Sequence, residues 1–248
     1  MAGDSGRRTM SLEELKRERK KAAHRKRRII FNNDGNEPVY YLDEATPKAL
    51  LDCRTTPLLG SQVDTIFYCT WSSGFSYFTH HTRAGQVFDT TANPKGADNK
   101  IGFSRNKTAD FIKQGTDPLE IMVEFCKKNG IEIFWSFRMN DTHDAWGGWY
   151  SKYLFPKLKQ EHPEWLVASE RKRSKHGGWS AVDYGHKAIR DLAVKFIEEV
   201  CVNYDVDGIE MDFFRHPVYF KGPAWGRNAG QEELEKMTSM VRRVRKVA

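Results

Sequence analysis

The chain has 248 residues, 39% of them hydrophobic and 12% aromatic, with seven Trp and a formal charge of +7. This suits a globular protein of one sizeable domain or two small ones, and no apolar run approaches the length of a membrane span. The charge is local. Residues 1–28 hold eleven Lys/Arg against four Asp/Glu, an excess of seven that accounts for the whole, so the remainder is neutral and nucleic acid is not the expected partner.

In chain order, Ser11 to Arg28 has helix-forming composition, with Ser11 as N-cap and Glu14 placed for a capping box. Its thin apolar stripe (Leu12, Leu15, Ala22, Ala23) predicts a basic helical arm over 1–28, resting lightly on a domain over 29–248. No apolar stretch follows the positive residues, so no signal peptide is read and a cytoplasmic location is expected. Arg28 to Gly35 reads as a strand running into a polar end. Thr46-Pro47 starts a short helix, and Val63 to Trp71 is a second strand rich in β-branched and aromatic residues. A long loop is expected from Ser72 to about Gly115. Asp117 to Asn129 is a helix stopped by Gly130, and Ile131 to Asn140 is the third strand. After a loop carrying His162-Pro163-Glu164-Trp165, His186 to Asn203 forms a strong amphipathic helix. Asp207 to Asp212 is the fourth strand, and Gln231 to Ala248 the last helix.

Strands alternating with helices imply a parallel sheet, and long loops after the strands are the habit of the (β/α)8 TIM barrel. Only four of eight units are present, which predicts an incomplete barrel, its N-terminal half, and self-association through the open edge.

Side chains on a strand alternate faces, so Glu210 and Asp212 share one face and Ile209 and Met211 the other. Two acids on the inner face of a covered strand are costly unless paired or used, which makes them the candidate catalytic pair. Ser136, Arg138 and Asn140 share a face on the neighbouring strand, and Arg138 is expected beside Glu210 or Asp212. Asn33 and Asp34 end the first strand, Trp71 the second; Asp141, His143 and Asp144 follow the third, and Arg215 and His216 the fourth. These are the candidate substrate-binding residues, with Trp71, Trp146 or Trp149 as a stacking floor for a sugar ring. His80-His81 and His143/Asp144 would suit a divalent ion, but no tight ligand spacing supports one, and Cys53, Cys69, Cys126 and Cys201 are scattered without a CxxC pair. Neither metal nor cofactor is expected.

Asn203 to Asp212 (NYDVDGIEMD), preceded by His162-Pro163-Glu164-Trp165 and Asp183-Tyr184-Gly185-His186, resembles the glycosyl-hydrolase-like family 10 group of TIM-barrel proteins. The resemblance covers about residues 27–217, with its specific motifs within 162–217. It implies a barrel that acts on or binds carbohydrate, with Asp212 at the family's acidic position. The strand also resembles the chitinase signature D-G-x-D-x-D-x-E, but Phe214 stands where that family has its catalytic glutamate, which argues against chitinase chemistry. Three readings stay open: a glycoside hydrolase using Asp212 and Glu210, a non-catalytic carbohydrate-binding barrel, and a nucleic-acid-associated protein acting through the basic arm.

Overall fold

The computed structural model describes residues 10–35, 38–70, 73–89, 106–147 and 151–248. Its elements are α1 (Leu12–His24), β1 (Ile29–Asp34), α2 (Pro38–Tyr41), α3 (Pro47–Arg54), β2 (Val63–Cys69), β3 (Tyr77–Phe78), β4 (Gln86–Val87), α4 (Thr108–Lys113) and α5 (Pro118–Asn129). Then come β5 (Glu132–Arg138), α6 (Lys157–Glu161), α7 (Lys187–Asn203), β6 (Gly208–Asp212), α8 (Lys221–Ala224) and α9 (Gln231–Val247). Four strands form one parallel sheet in the order β1-β2-β5-β6, each joined to the next by helical segments. This is the expected β/α alternation, and the sheet is open at β1 and β6 among the described residues.

Local chemistry sets the boundaries. The Asp117 side chain accepts from the N–H groups of Leu119 (2.8 Å) and Glu120 (3.0 Å), Pro118 occupies the first helical position, and Gly130 ends α5 in the left-handed region at φ 65°. At α1 the Glu14 N–H donates to Ser11 Oγ and the Ser11 N–H to Glu14 Oε2, at 3.3 and 2.9 Å, yet no residue of that helix is buried. The arm is tied down just after it: Arg27 grips Glu132 with Nη2 (2.7 Å) and Nε (2.5 Å), beneath the N-terminal end of β5.

The helix-facing side of the sheet is the core. Ile66, Tyr68, Ile133, Trp135 and Phe137 are fully buried against Leu119, Met122 and Cys126 of α5 and Ile189, Phe196 and Ile197 of α7. Each such side chain contributes on the order of 1.5–3 kcal/mol by leaving water. On the other face, Phe67 and Phe134 (ring centroids 4.8 Å apart) floor the would-be barrel, with the Arg27 guanidinium 5.3 Å from the Phe134 centroid. Gly208 is required beside them, because a Cβ there would lie 2.2 Å from the Phe134 ring. Above this floor the same face turns polar.

One expectation changes in detail. The stretch after β2 is not one irregular loop: β3 pairs in parallel with β4, and α4 follows. Two-residue strands carry no periodicity for a sequence to display. Trp71 and Trp149, two of the three residues expected to stack on sugar, lie outside the described residues.

Candidate functional site

The C-terminal ends of the strands enclose a cleft of about 330 Å³. Register places its residues in rows: Asp34 beside Cys69, Cys69 beside Ser136, Ser136 beside Glu210, and one step higher Arg138 beside Asp212. All of these line the cleft, as do Asn32, Phe214 and Arg215.

The two acids of β6 sit in different surroundings. Burial raises the Glu210 carboxyl above its ordinary range; a Ser136 hydrogen bond offsets part of this, and the nearby Asp212 charge adds to it. Glu210 Oε2 is buried with no hydrogen-bond partner among the described residues. Asp212 Oδ1 accepts from the Phe214 N–H (2.9 Å) and the Arg215 N–H (3.1 Å), so the loop that leaves β6 folds back over its own carboxylate and fixes it.

Arg138 takes partners other than those expected. Its Nη2 lies 2.6 Å from Asp34 Oδ2 and its Nη1 3.4 Å from Asp141 Oδ2, where the sequence reading placed it against Glu210 or Asp212. The long side chain reaches across β2 toward β1 and up to the loop after β5, so strand adjacency was a poor guide to its charge partner. The result is a relay: Asp34, Arg138, Asp141, His143. His143 Nδ1 lies 2.8 Å from Asp141 Oδ2. Burial would push the Asp141 carboxyl up, but the His143 hydrogen bonds and charge, with the Arg138 guanidinium, hold it well below the usual range.

Three other expected binding residues turn away from the cleft. Asn33, of opposite parity to Asp34, is buried and its amide points toward Thr55 Oγ1 at 3.5 Å. The Asn140 amide is consumed by backbone, donating to Val182 O (2.9 Å) and Val218 O (2.6 Å) and accepting from the Val182 N–H (2.9 Å). Asp144 is fully buried, held by Lys159 Nζ at 2.7 Å and Ser180 Oγ at 2.5 Å. Asn140 and Asp144 thus act as clamps that fix the loop over 141–147, which carries His143 and Trp146 at the rim. Arg215 is exposed on the cleft and His216 half-buried at the rim.

Cys69, Ser136, Phe214 and Lys159 were not among the candidates. Strand parity with Arg138 signalled Ser136, and register with it signals Cys69, whereas nothing in the sequence marks Lys159 as the buried partner of Asp144. Of the earlier His80-His81 pair, His80 is buried with Nδ1 2.7 Å from Thr70 Oγ1, and His81 offers its backbone N–H to Asp117.

One group of possible metal ligands does come together: Asp141, His143 and His216 have ligand atoms within 4.8 Å of one another. Their atoms are already engaged. His143 Nδ1 is within 2.8–2.9 Å of both Asp141 oxygens, and His216 Nδ1 accepts the Thr142 N–H at 3.1 Å. His216, which accepts a proton at Nδ1, carries its own on Nε2 and so has no lone pair there for a metal, and the His143 Nδ1 is turned to Asp141. The donor set fits a hydrogen-bonded cluster better than an ion site.

Comparison with known proteins gives the family and the fold. Residues 60–240 match the family described as Glycosyl hydrolase-like 10. Over 125 residues the chain is 29% identical to Glycosyl hydrolase YngK of Bacillus subtilis (strain 168), an alignment covering 49% of this chain and 22% of YngK. Among solved structures, Alpha-L-fucosidase isoenzyme 2 from Paenibacillus thiaminolyticus matches with a TM-score of 0.52 at 14% identity, over 90% of this chain and 30% of that one. The galactosidase domain of alpha-galactosidase-sucrose kinase, AgaSK, matches with a TM-score of 0.50 at 15% identity, over 91% and 26%. The chain therefore spans less than a third of each of these proteins. The fold is that of TIM-barrel glycoside hydrolases, with four β/α units of the barrel present. Among the described residues no helix is long and apolar enough to cross a membrane.

Proposed function

Because the chain belongs to the Glycosyl hydrolase-like 10 family, we propose that its cleft hydrolyses a glycosidic bond, with Glu210 as proton donor and Asp212 as the carboxylate facing the developing oxocarbenium ion. The observation that carries this reading is the contrast between the two acids of one strand. Burial and a neighbouring charge favour a proton on Glu210, while two backbone N–H groups hold Asp212 in one orientation. Glycoside hydrolysis asks for this division, one protonated acid and one carboxylate at the scissile bond. Arg138 is turned to Asp34 and Asp141, so the Glu210 proton is not drawn off by a guanidinium. Arg215, exposed beside Asp212, would take sugar hydroxyls.

A second reading, carbohydrate binding without turnover, is favoured by one feature. Glu210 and Asp212 stand side by side on β6, about 6.6 Å apart along the strand, and not on opposite sides of a sugar. The acid across the cleft is Asp34 of β1, which is engaged by Arg138. The basic arm lies at the far end of the strands from the cleft, where Arg27 holds Glu132, so a nucleic-acid role would not use this site.

The test is turnover and calorimetric binding on a panel of α- and β-linked oligosaccharides with wild type and Asp212→Asn. The substitution keeps shape and one acceptor but loses the charge, so turnover should fall by about 3–5 kcal/mol of transition-state stabilisation while binding holds within about twofold. Equal turnover in both proteins would remove Asp212 from the chemistry. Binding without turnover in wild type would establish the second reading.

A further inference from the structure

Outside the acid cleft, one group of side chains points to a ligand. The loop after β5 turns through His143–Ala145 and ends in Trp146, whose indole is 66% exposed. Trp146 lies 6.2 Å from the His216 ring, and His216 lies 5.1 Å from His143, edge to face at 81°. The three rings form a continuous surface at the rim. It adjoins the acids directly, because Phe214 and Arg215, the residues just before His216, line the cleft.

The hydrogen bonds beneath these rings fix what the surface offers. Thr142 gives its N–H to His216 Nδ1 at 3.1 Å, so the His216 proton sits on Nε2 and that atom is a donor. Asp141 is a buried carboxylate that carries no proton of its own, so at its contact with His143 the proton belongs to the imidazole Nδ1. Burial keeps His216 neutral, pushing it down to about 4, so its donor character persists across ordinary pH. An exposed aromatic face therefore stands beside a hydrogen-bond donor on the adjoining ring.

We propose that Trp146, His216 and His143 form a sugar-binding subsite on the rim, next to the acid-bearing strand, so that the substrate is a chain of at least two sugars and not a single terminal unit. A pyranose supplies the complement: an apolar C–H face for the indole, and adjacent hydroxyls that each donate and accept. The proposal rests on the carbohydrate reading above but not on its chemistry.

The experiment uses the full 248-residue chain and four probes: cellohexaose, maltohexaose, chitohexaose and, for a nucleobase that would also stack, adenosine monophosphate. Calorimetry compares wild type, Trp146→Ala, Trp146→Phe and His216→Ala. Trp146 is exposed enough that its removal should leave the fold intact, which a melting curve checks. We expect wild type to bind at least one hexaose, Trp146→Ala to weaken it about tenfold, Trp146→Phe to restore most of the loss, and His216→Ala to weaken it several-fold. Unchanged hexaose affinity in Trp146→Ala, no hexaose binding by wild type, or preferential binding of adenosine monophosphate would each overturn the subsite. Hexaose binding that depends on Trp146, without any turnover, would support the subsite and sink the hydrolytic reading. Turnover that depends on Asp212 and ignores Trp146 would do the reverse.

Discussion

The pair formed by Lys159 and Asp144 holds the rim of the cleft, and Lys159→Met is the perturbation that exposes it. Both side chains are buried, 2.7 Å apart, and Asp144 has Ser180 as its other hydrogen-bond partner. Removing the cation leaves a buried carboxylate with one hydroxyl donor, which costs about 3–5 kcal/mol. Against a total stability on the order of 5–15 kcal/mol this is a large share. At a urea m-value of about 2–3 kcal/mol/M the unfolding midpoint should fall by about 1–2.5 M. The double variant Lys159→Met/Asp144→Leu removes both charges and should recover most of the loss. pH supplies an internal check. Burial already raises the Asp144 carboxyl, and without Lys159 it rises further above its unfolded value. A group whose folded pKa is raised contributes stability below the unfolded pKa and loses it as pH climbs through the folded one, so the Lys159→Met deficit should be small near pH 4 and full at pH 7. Hydrogen exchange at the Thr142 amide, which donates to His216, would report release of the rim loop. A single variant within about 1 kcal/mol of wild type, or a double variant no better than the single, would refute the reasoning.

Glu210→Gln should abolish the alkaline limb of the pH–rate profile; in wild type that limb should lie above the ordinary glutamate range, because burial raises this carboxyl and a proton donor stops working as pH rises through its pKa. A limb at the ordinary value would take the donor role from Glu210. Gly208→Ala should destabilise the chain by about 1–3 kcal/mol in a urea titration, because its Cβ would meet the Phe134 ring at 2.2 Å, and Phe134→Leu should relieve part of the loss. The edge strands β1 and β6 pair with no further strand among the described residues, and Ile29 and Ile30 on β1 are each 46% exposed. Sedimentation velocity should therefore show concentration-dependent association that Ile30→Lys weakens, and a monomer at every concentration would defeat this.

Much of the fold was legible because its signals are local and repetitive. Asp117 with Pro118 behind it and Gly130 at the far end bound α5 in sequence as they do in space. The parity of β5 and β6 also transferred: Ser136, Arg138, Glu210 and Asp212 share one face, and Trp135 and Phe137 are buried on the other. Parity breaks down where a strand ends. Asn140 continues the alternation of Ser136 and Arg138 on paper, but β5 stops at Arg138, and Asn140 already belongs to the turn that clamps Val182 and Val218. Asn33 failed for the opposite reason, since the alternation that places Asp34 in the cleft turns its neighbour toward Thr55.

Charge partners were the least legible part, and the cause is reach. An arginine spans more than one strand spacing, so Arg138 chose between acids on β1, on β6 and in its own following loop, and sequence proximity could not rank them. The choice matters chemically. Had Arg138 sat on Glu210, its guanidinium would have favoured the ionised form of that carboxyl and opposed a donor role. By taking Asp34 and Asp141 instead, it leaves Glu210 to the raising effect of burial and charges the Asp141 carboxylate that sets the His143 tautomer. One guanidinium thus lies between the two parts of the proposed site, the acid pair on β6 and the hydrogen-bonding rim above β5. Arg138→Met should leave the alkaline limb that Glu210 defines at or above its wild-type position, since no guanidinium holds that carboxyl, while calorimetry should show weaker oligosaccharide binding through Asp141 and His143; a limb that falls would refute this division.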